Sequence, residues 1–489
     1  MKWVIPIFCV FSYVRYIENV NILAVFPLAG KSHFNMFEPI LKGLVERGHE
    51  VDVMSHFPQK TPIKGYNDLS LVGTQPVFVN NMSLDIFKNQ GIFGEIRLML
   101  KMGGSDTCES TFNSDVARNV RNSSKTYDLV ITELFTTDCM LGWAYHFKAP
   151  SVVLSSSAAL PWSNDRFGNP DNPAYIPSFQ SAYSPHMSLL QRLANTFNVV
   201  TAKLVYRFMS STSNRLAKEF FGEGMPDLDV LAYNTSLFLV NSHLSIYQAR
   251  PTVPNFVEVG HFKNLLTTDS KGIIYLSMGS MIMTEKFPVE TLQGLADAFG
   301  ELPYKVIWKA DKDKFPEEVK FPDNVHFESH PNVKLFITHG GLMGGQEAVY
   351  CGVPRLGIPL FGDQIVNVKL AENMGLAVKL DLESITKKSA LDALNKMLNN
   401  PMYQEKAKEV SKRYKDRPLS AMDTALYWIE YVIRHNGAPH LRSAGADLAW
   451  YQYHLLDVAV IFISIPIVLV YLFLYVVGKL YYVDAKFNV

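Results

Sequence analysis

The chain has 489 residues, enough for two globular domains, and its 46 basic side chains are balanced by 46 acidic ones. With no net charge and no basic stripe, it is not built to hold nucleic acid. Its four cysteines, Cys9, Cys108, Cys139 and Cys351, are too few and too scattered for a disulfide framework or a zinc site; Cys9 falls in a targeting segment and the rest are expected as core or idle thiols.

The N-terminus reads as a secretory signal, residues 1–19, because Lys2 precedes an apolar run, Trp3 to Phe11, of h-region length. From residue 20 strand and helix alternate. Val20–Phe26 is an apolar strand, and Asn35 is placed to cap a helix whose apolar face is Met36, Phe37, Ile40, Leu41, Leu44 and Val45. Gly48 ends that helix. The strands Val51–Met54, Leu129–Thr132, Val152–Leu154 and Leu237–Val240 follow. Prolines 161, 170, 173, 177 and 185 predict an irregular stretch that turns helical before residue 230. A polar connection, 250–271, precedes a second series: Ile273–Ser277, Lys305–Trp308, Lys334–Thr338 and Leu356–Ile358. Val458 to Gly478 carries no charge and, at about 1.5 Å per residue, covers about 30 Å, so a transmembrane helix over 458–478 with a tail of 479–489 is expected. Pro466 does not disqualify it. Sequons at Asn81, Asn122 and Asn234 are usable if the body is lumenal.

The most informative run is 334–367. Its strand stops at His339 and a glycine-rich turn, Gly340, Gly341, Gly344 and Gly345; a helical window, Gln346 to Cys351, is then closed by Gly352 and Pro354. Strand, glycine turn and helix start together present backbone N–H groups at the positive end of a helix, where a diphosphate can approach. The spacing is neither GxGxxG nor a P-loop, and on spacing alone a ligand-free connection is the better reading.

The whole order THGG…QEA…GVP…GIPLFGDQ closely resembles the signature of the UDP-glycosyltransferases, particularly the membrane-bound animal, insect-like type, and the resemblance runs from GKSHF near the start to the C-terminal anchor. It implies an α/β fold of GT-B type: two Rossmann-like domains facing a cleft, 20–249 for the acceptor and 272–445 for the UDP-sugar, plus one C-terminal transmembrane helix. The implied place is the endoplasmic reticulum membrane, single-pass type I, with a lumenal body. The implied reaction is inverting transfer of a hexose from a UDP-sugar, UDP-glucose being the expected donor, to a hydroxyl of a small lipophilic acceptor. No cofactor and no metal are required, and a homo-oligomer is compatible with the sequence.

The resemblance also assigns roles at matching positions. His33, in GKSHF, would be the general base, a group of near-neutral pKa suited to taking the acceptor's proton. In YDLVITELFTTDC, Glu133 stands where the family usually has the aspartate that holds the base; Asp138 is the second candidate, or the N-cap of a helix over 139–147. His339 and the amides of the Gly344–Gly345 turn would hold the diphosphate, with Gly341 and Gln346 among the donor-binding positions, Glu347 would hold the ribose, and Asp363 and Gln364 the sugar hydroxyls; Ser280 would line the same cleft. Asp311-x-Asp313 and Asp227-x-Asp229 look like metal-binding pairs but stand in charged or turn-like surroundings and are read as solvated surface.

Two departures stand out. Gly345 occupies a position where family members usually carry Ser or Thr, so one hydroxyl to phosphate is missing. The W-x-P-Q stretch, whose Trp stacks on uracil, is also missing: NVHFES runs straight into HPNVKLF, about nine residues short. Since a parallel crossover needs about a dozen residues, Val325–Phe327 is expected to be frayed or misplaced. The base pocket is expected to lose a stack worth about 1–3 kcal/mol. The competing expectation is therefore a glycosyltransferase-fold binding protein with weak or no catalysis.

Overall fold

A computed structural model describes residues 19–79, 91–181, 183–260, 273–327 and 333–487; the signal segment, the Asn81 sequon, the later half of the linker and the Ser329–His330 junction lie outside them. The apolar runs become two parallel sheets. β1 (Asn21–Phe26), β2 (Glu50–Ser55), β3 (Tyr66–Ser70), β4 (Leu129–Glu133), β5 (Ser151–Ser155), β6 (Leu237–Val240) and β7 (Phe256–Glu258) form the first, in the order β3-β2-β1-β4-β5-β6-β7. β8 (Ile273–Ser277), β9 (Lys305–Trp308), β10 (Val325–His326), β11 (Leu335–Thr338), β12 (Arg355–Gly357) and β13 (Ala377–Lys379) form the second, in the order β10-β9-β8-β11-β12-β13. Central strands such as NILAVF are apolar after their first residue because helices cover both faces of a parallel sheet. β3 has the sequence YNDLS and sits at an edge, where a polar strand is tolerated and hydrophobic patterning gives no signal.

The helices that matter for the site follow from loop chemistry. α1 (Lys31–Glu46) starts about one turn before the expected Asn35 cap, because the Gly30 carbonyl already accepts the amides of His33 and Phe34 at 3.1 and 3.3 Å. His33 is thereby fixed in a helical first turn. α2 (Gly91–Leu100) packs on α3 (Leu189–Phe221), a long helix opened by a Ser188–Gln191 capping box. α4 (Leu342–Cys351) follows the glycine turn and stops at Gly352, whose φ of 66° is the left-handed helix end that glycine favours. α5 (Gln364–Asn373) follows β12.

α6 (Ala421–Arg434) crosses back to the first domain. Its Leu426, Ile429 and Val432 enter the same core as Phe37, Leu41 and Leu44, and Arg47 pairs with its buried Glu430 at 2.8 Å. A second domain running unbroken to 445 does not describe this return. The chain ends in α7 (Leu456–Phe487), whose apolar part, Leu456–Lys479, contains the expected span, with Pro466 inside it.

Two expectations are corrected here. Val325–His326 is neither frayed nor misplaced: it pairs in parallel with Val306 and Ile307, and Phe327 packs with Trp308, Phe315 and Phe321. The aromatic cluster anchors this edge strand, and β10 lies three strands from β11 in the sheet, so the parallel-neighbour spacing assumed from the sequence does not apply to this pair. Cys108 and Cys139 are not idle thiols but form a disulfide, their Cα atoms 6.2 Å apart. A sequence separation of 31 hid the pairing; only the docking of the 106–112 helix on the loop after β4 brings them together.

Candidate active site

In open α/β sheets ligands bind at the carboxyl ends of the strands. Here the ends of both sheets face one cavity of about 730 Å³, lined by His33 and Ser156 from one side and by Ser280, His339, Glu347, Asp363 and Gln364 from the other. The two histidines therefore share one hollow.

On the first-domain side, His33 Nδ1 and Glu133 Oε1 are 2.6 Å apart, the carboxylate presented by the last residue of β4. The extra methylene of glutamate does not prevent the contact. Ser156, just past β5, was not singled out from sequence, yet its Oγ lies 2.7 Å from His33 Nδ1 and donates to Glu133 Oε1 at 2.8 Å. The only hint of it was a Ser-Ser-Ser run closing an apolar strand. Phe135 meets the imidazole edge-on at 4.7 Å. With Nδ1 directed at Glu133 and Ser156, a neutral His33 keeps Nε2 as its basic atom.

Asp138 does neither job expected of it. It is buried away from the cavity, bound to Arg166 at 2.5 Å and to the Tyr206 hydroxyl at 2.8 Å, and its side chain caps no helix. Its partners come from distant segments, which is why a local capping argument misread it.

On the second-domain side, His339 ends β11 and is held by close glycines. A Cβ on Gly341 would fall 2.6 Å from its Nε2, and one on Gly279 would fall 2.8 Å from its Cε1. Burial, aided by the Lys309 ammonium, pushes the imidazole down to about 4. His339 is therefore neutral near pH 7 and can meet a diphosphate as a hydrogen-bonding imidazole rather than as a cation. The positive elements facing this side are the start of α4 and Lys309, which also lines the cavity and was not anticipated.

Gly341, Gly344 and Glu347 line the cavity, but Gly345 and Gln346 turn away from it. A Cβ on Gly345 would meet the Arg355 guanidinium at 2.5 Å, and Gln346, fully buried, donates to the Asn241 carbonyl across the domain interface at 3.2 Å. Arg355 thus fills the room a Ser or Thr at 345 would need. Ser280 Oγ is buried without a hydrogen-bond partner. Asp363 accepts from Asn367 at 2.9 Å; burial raises its carboxyl pKa, while Asn367 and the facing His33 pull it back. Gln364 Oε1 accepts the amides of Leu360 and Phe361 at 2.9 and 3.2 Å, fixing the loop that presents Asp363. The cavity also reaches the stacked rings of Tyr275 and Phe336 on neighbouring strands. Asp311, Asp313, Asp227 and Asp229 are exposed and outside the cavity lining.

A family model described as UDP-glucoronosyl and UDP-glucosyl transferase matches residues 21–488. The chain is 38% identical over 481 residues to UDP-glucosyltransferase 2 of Dactylopius coccus, covering 94% of this chain and 93% of that one. It is 29% identical over 483 residues to UDP-glucuronosyltransferase 1A3 of Rattus norvegicus, covering 92% and 89%. Among solved structures, the glycotransferase of kitacinnamycin aligns with a TM-score of 0.58 at 15% identity, over 85% of this chain and 99% of its own. The spinosyn rhamnosyltransferase SpnG aligns at 0.54 and 15%, over 84% and 100%. These two likenesses establish the GT-B fold.

Proposed function

The chain belongs to the UDP-glucoronosyl and UDP-glucosyl transferase family and is a glycosyltransferase fed by a UDP-sugar, and from that premise we propose that it moves a hexose, with inversion, onto a hydroxyl of a small lipophilic acceptor. One observation carries the proposal: the His33–Glu133–Ser156 cluster faces the His339 and Asp363 side across a single cavity. His33 Nε2 takes the acceptor's proton as the oxygen attacks the anomeric carbon, and Glu133 steadies the imidazolium that forms. UDP departs from the opposite face, which inverts that carbon. The amides at the start of α4 and Lys309 receive the diphosphate, Glu347 the ribose, and Asp363 with Gln364 the sugar hydroxyls. Ser280 Oγ, lacking a protein partner, is a further donor for the nucleotide. The apolar lining on the acceptor side, including Ile96, Leu98, Met99 and Phe179, suits a lipophilic acceptor.

The protein is further proposed to be held in the endoplasmic reticulum membrane by α7, with its body lumenal. The Cys108–Cys139 disulfide fits an oxidising compartment, and the exposed Asn122 and Asn234 are available for glycosylation there.

A second reading, binding with little turnover, is favoured by the absence of tryptophan among the described cavity-lining residues; the rings on the donor side are Tyr275, Phe336 and Phe361. Calorimetric titration with UDP separates the two: micromolar affinity supports the enzyme, millimolar or none the binder. For the base, His33→Ala should abolish transfer and leave UDP affinity unchanged. Transfer surviving in that variant removes His33 from the mechanism.

A further inference from the structure

Helix α3 is apolar on two opposite sides. One side, with Val199, Ala202 and Tyr206, is buried on the first domain. On the other, Leu189, Leu193, Phe197, Val200, Leu204 and Phe208 are between 48% and 83% exposed. At 3.6 residues per turn these six fall within about 100° of arc along about 28 Å of helix, so they form one continuous stripe. The same line turns polar afterwards, at Ser211 and Arg215. Phe93 of α2, itself half exposed, extends the stripe sideways, its ring 6.4 Å from that of Phe197. A soluble surface does not ordinarily carry such a contiguous apolar band.

The location of the stripe points to what covers it. Lys203, at the edge of the stripe, is paired with Asp165 at 2.7 Å and Asp171 at 2.8 Å. Tyr453, just before α7, packs on the 443–447 turn, where a Cβ on Gly445 would lie 3.1 Å from its ring, and that turn lies against Gly168, three residues past Asp165: a Cβ on Gly168 would be 2.7 Å from the Ala446 amide. The start of the anchor and the stripe thus lie on the same side of the first domain. Trp450 and Tyr451 stand exposed there, residue types that settle at the headgroup level of a bilayer. Arg192 and Arg207 flank the stripe in the open and can reach lipid phosphates while their stems lie on the apolar band.

We propose that this stripe lies in the headgroup–acyl boundary of the bilayer that holds α7, so that the first domain rests on the membrane through α3 and α2 as well as through its tether. The proposal rests on the membrane anchoring argued above. It also extends the reading of the acceptor. Ile96, Met99 and Met102, on or just after α2, line the cavity, and Ile96 and Leu100 share a core with Ala202 and Tyr206 of α3. α2 thus forms part of the wall between the stripe and the cavity that holds His33.

The test uses the full chain in phosphatidylcholine liposomes that contain a photoactivatable lipid, with adducts mapped by peptide mass spectrometry. Adducts on both 189–208 and 456–479 are expected. Adducts on 456–479 alone overturn the stripe proposal and leave the anchor standing; adducts on neither overturn the anchor and the stripe together. Adducts on 189–208 that vanish as protein is added, with protein–protein cross-links between two α3 helices, overturn it in favour of a second copy of the chain. In activity, the exposed pair Leu193→Ser with Phe208→Ser should raise KM for a membrane-dissolved acceptor on the order of tenfold, with kcat and the KM of a water-soluble acceptor unchanged. Equal effects on both acceptors would also overturn it.

Discussion

The two walls of the cavity are prepared in opposite ways. On the first-domain side every polar group aimed at the base is already partnered: His33, Glu133 and Ser156 bind one another within 2.8 Å. On the second-domain side Ser280 Oγ has no protein partner, and His339 is held neutral by burial. One wall is tied together by its own side chains. On the function proposed above, the other would gain from the nucleotide the partner that Ser280 Oγ lacks, while Asp363 and Gln364 are already held by Asn367 and by the amides of Leu360 and Phe361. Preorganisation would then be greatest where charge develops in the reaction.

This contrast can be broken by substitutions that hit one wall and not the other. The largest effect is expected from Glu133→Gln, which keeps the shape and loses the charge behind the imidazole: kcat should fall about 10²–10⁴-fold with UDP affinity unchanged, measured by product formation and calorimetry. The double variant Cys108→Ser with Cys139→Ser opens a loop closed over a separation of 31 residues and should cost about 3–4 kcal/mol in denaturant unfolding, again without changing UDP binding. Gly341→Ala acts on the other wall. Its Cβ would press on His339 Nε2, so UDP affinity should fall roughly ten- to a hundredfold while Cys108–Cys139 and the base are undisturbed.

A smaller effect is expected from pH. His339 and His243 take up protons near 4 when folded and near 6.5 when unfolded, so between those values the unfolded chain binds more protons. Stability is complete above about pH 6.5 and declines as pH falls toward 4, by at most about 2 kcal/mol per histidine at pH 5. His243→Asn should flatten the fall of Tm between pH 7 and 5 without altering turnover at pH 7. Ser156→Ala is the mildest: His33 keeps Glu133, and kcat should drop only a few-fold, about 1 kcal/mol.

Much of the frame was legible in the sequence because strands buried on both faces advertise themselves. Leu237–Val240, Ile273–Ser277 and Lys305–Trp308 fall where their apolar runs place them. Tyr66–Ser70 did not show, since an edge strand needs no apolar pattern, nor did Ala377–Lys379, too short to have one. At the site, His33 with Glu133, and His339 with Glu347 and Asp363, were reached through their resemblance to a known signature, and all line the cavity or meet at it. Asp138, Gly345 and Gln346 were misplaced because their neighbours Arg166, Arg355 and Asn241 are remote in the chain. Ser156 and Lys309 were missed for the same reason: each is an ordinary residue after a strand until the opposite element is in place.

The return of α6 to the first domain sets how the cleft can open. The polypeptide passes between the halves once after β7 and again before α6, and the two passages meet: Arg417, just before α6, donates to the Val259 carbonyl, just after β7, at 2.8 Å. Two passages tied side by side act as one hinge line, while Arg47 and Glu430 keep α6 riding with the first domain. Opening of the cleft should then be a swing about that line, and Arg417→Ala should loosen it without touching the chemistry.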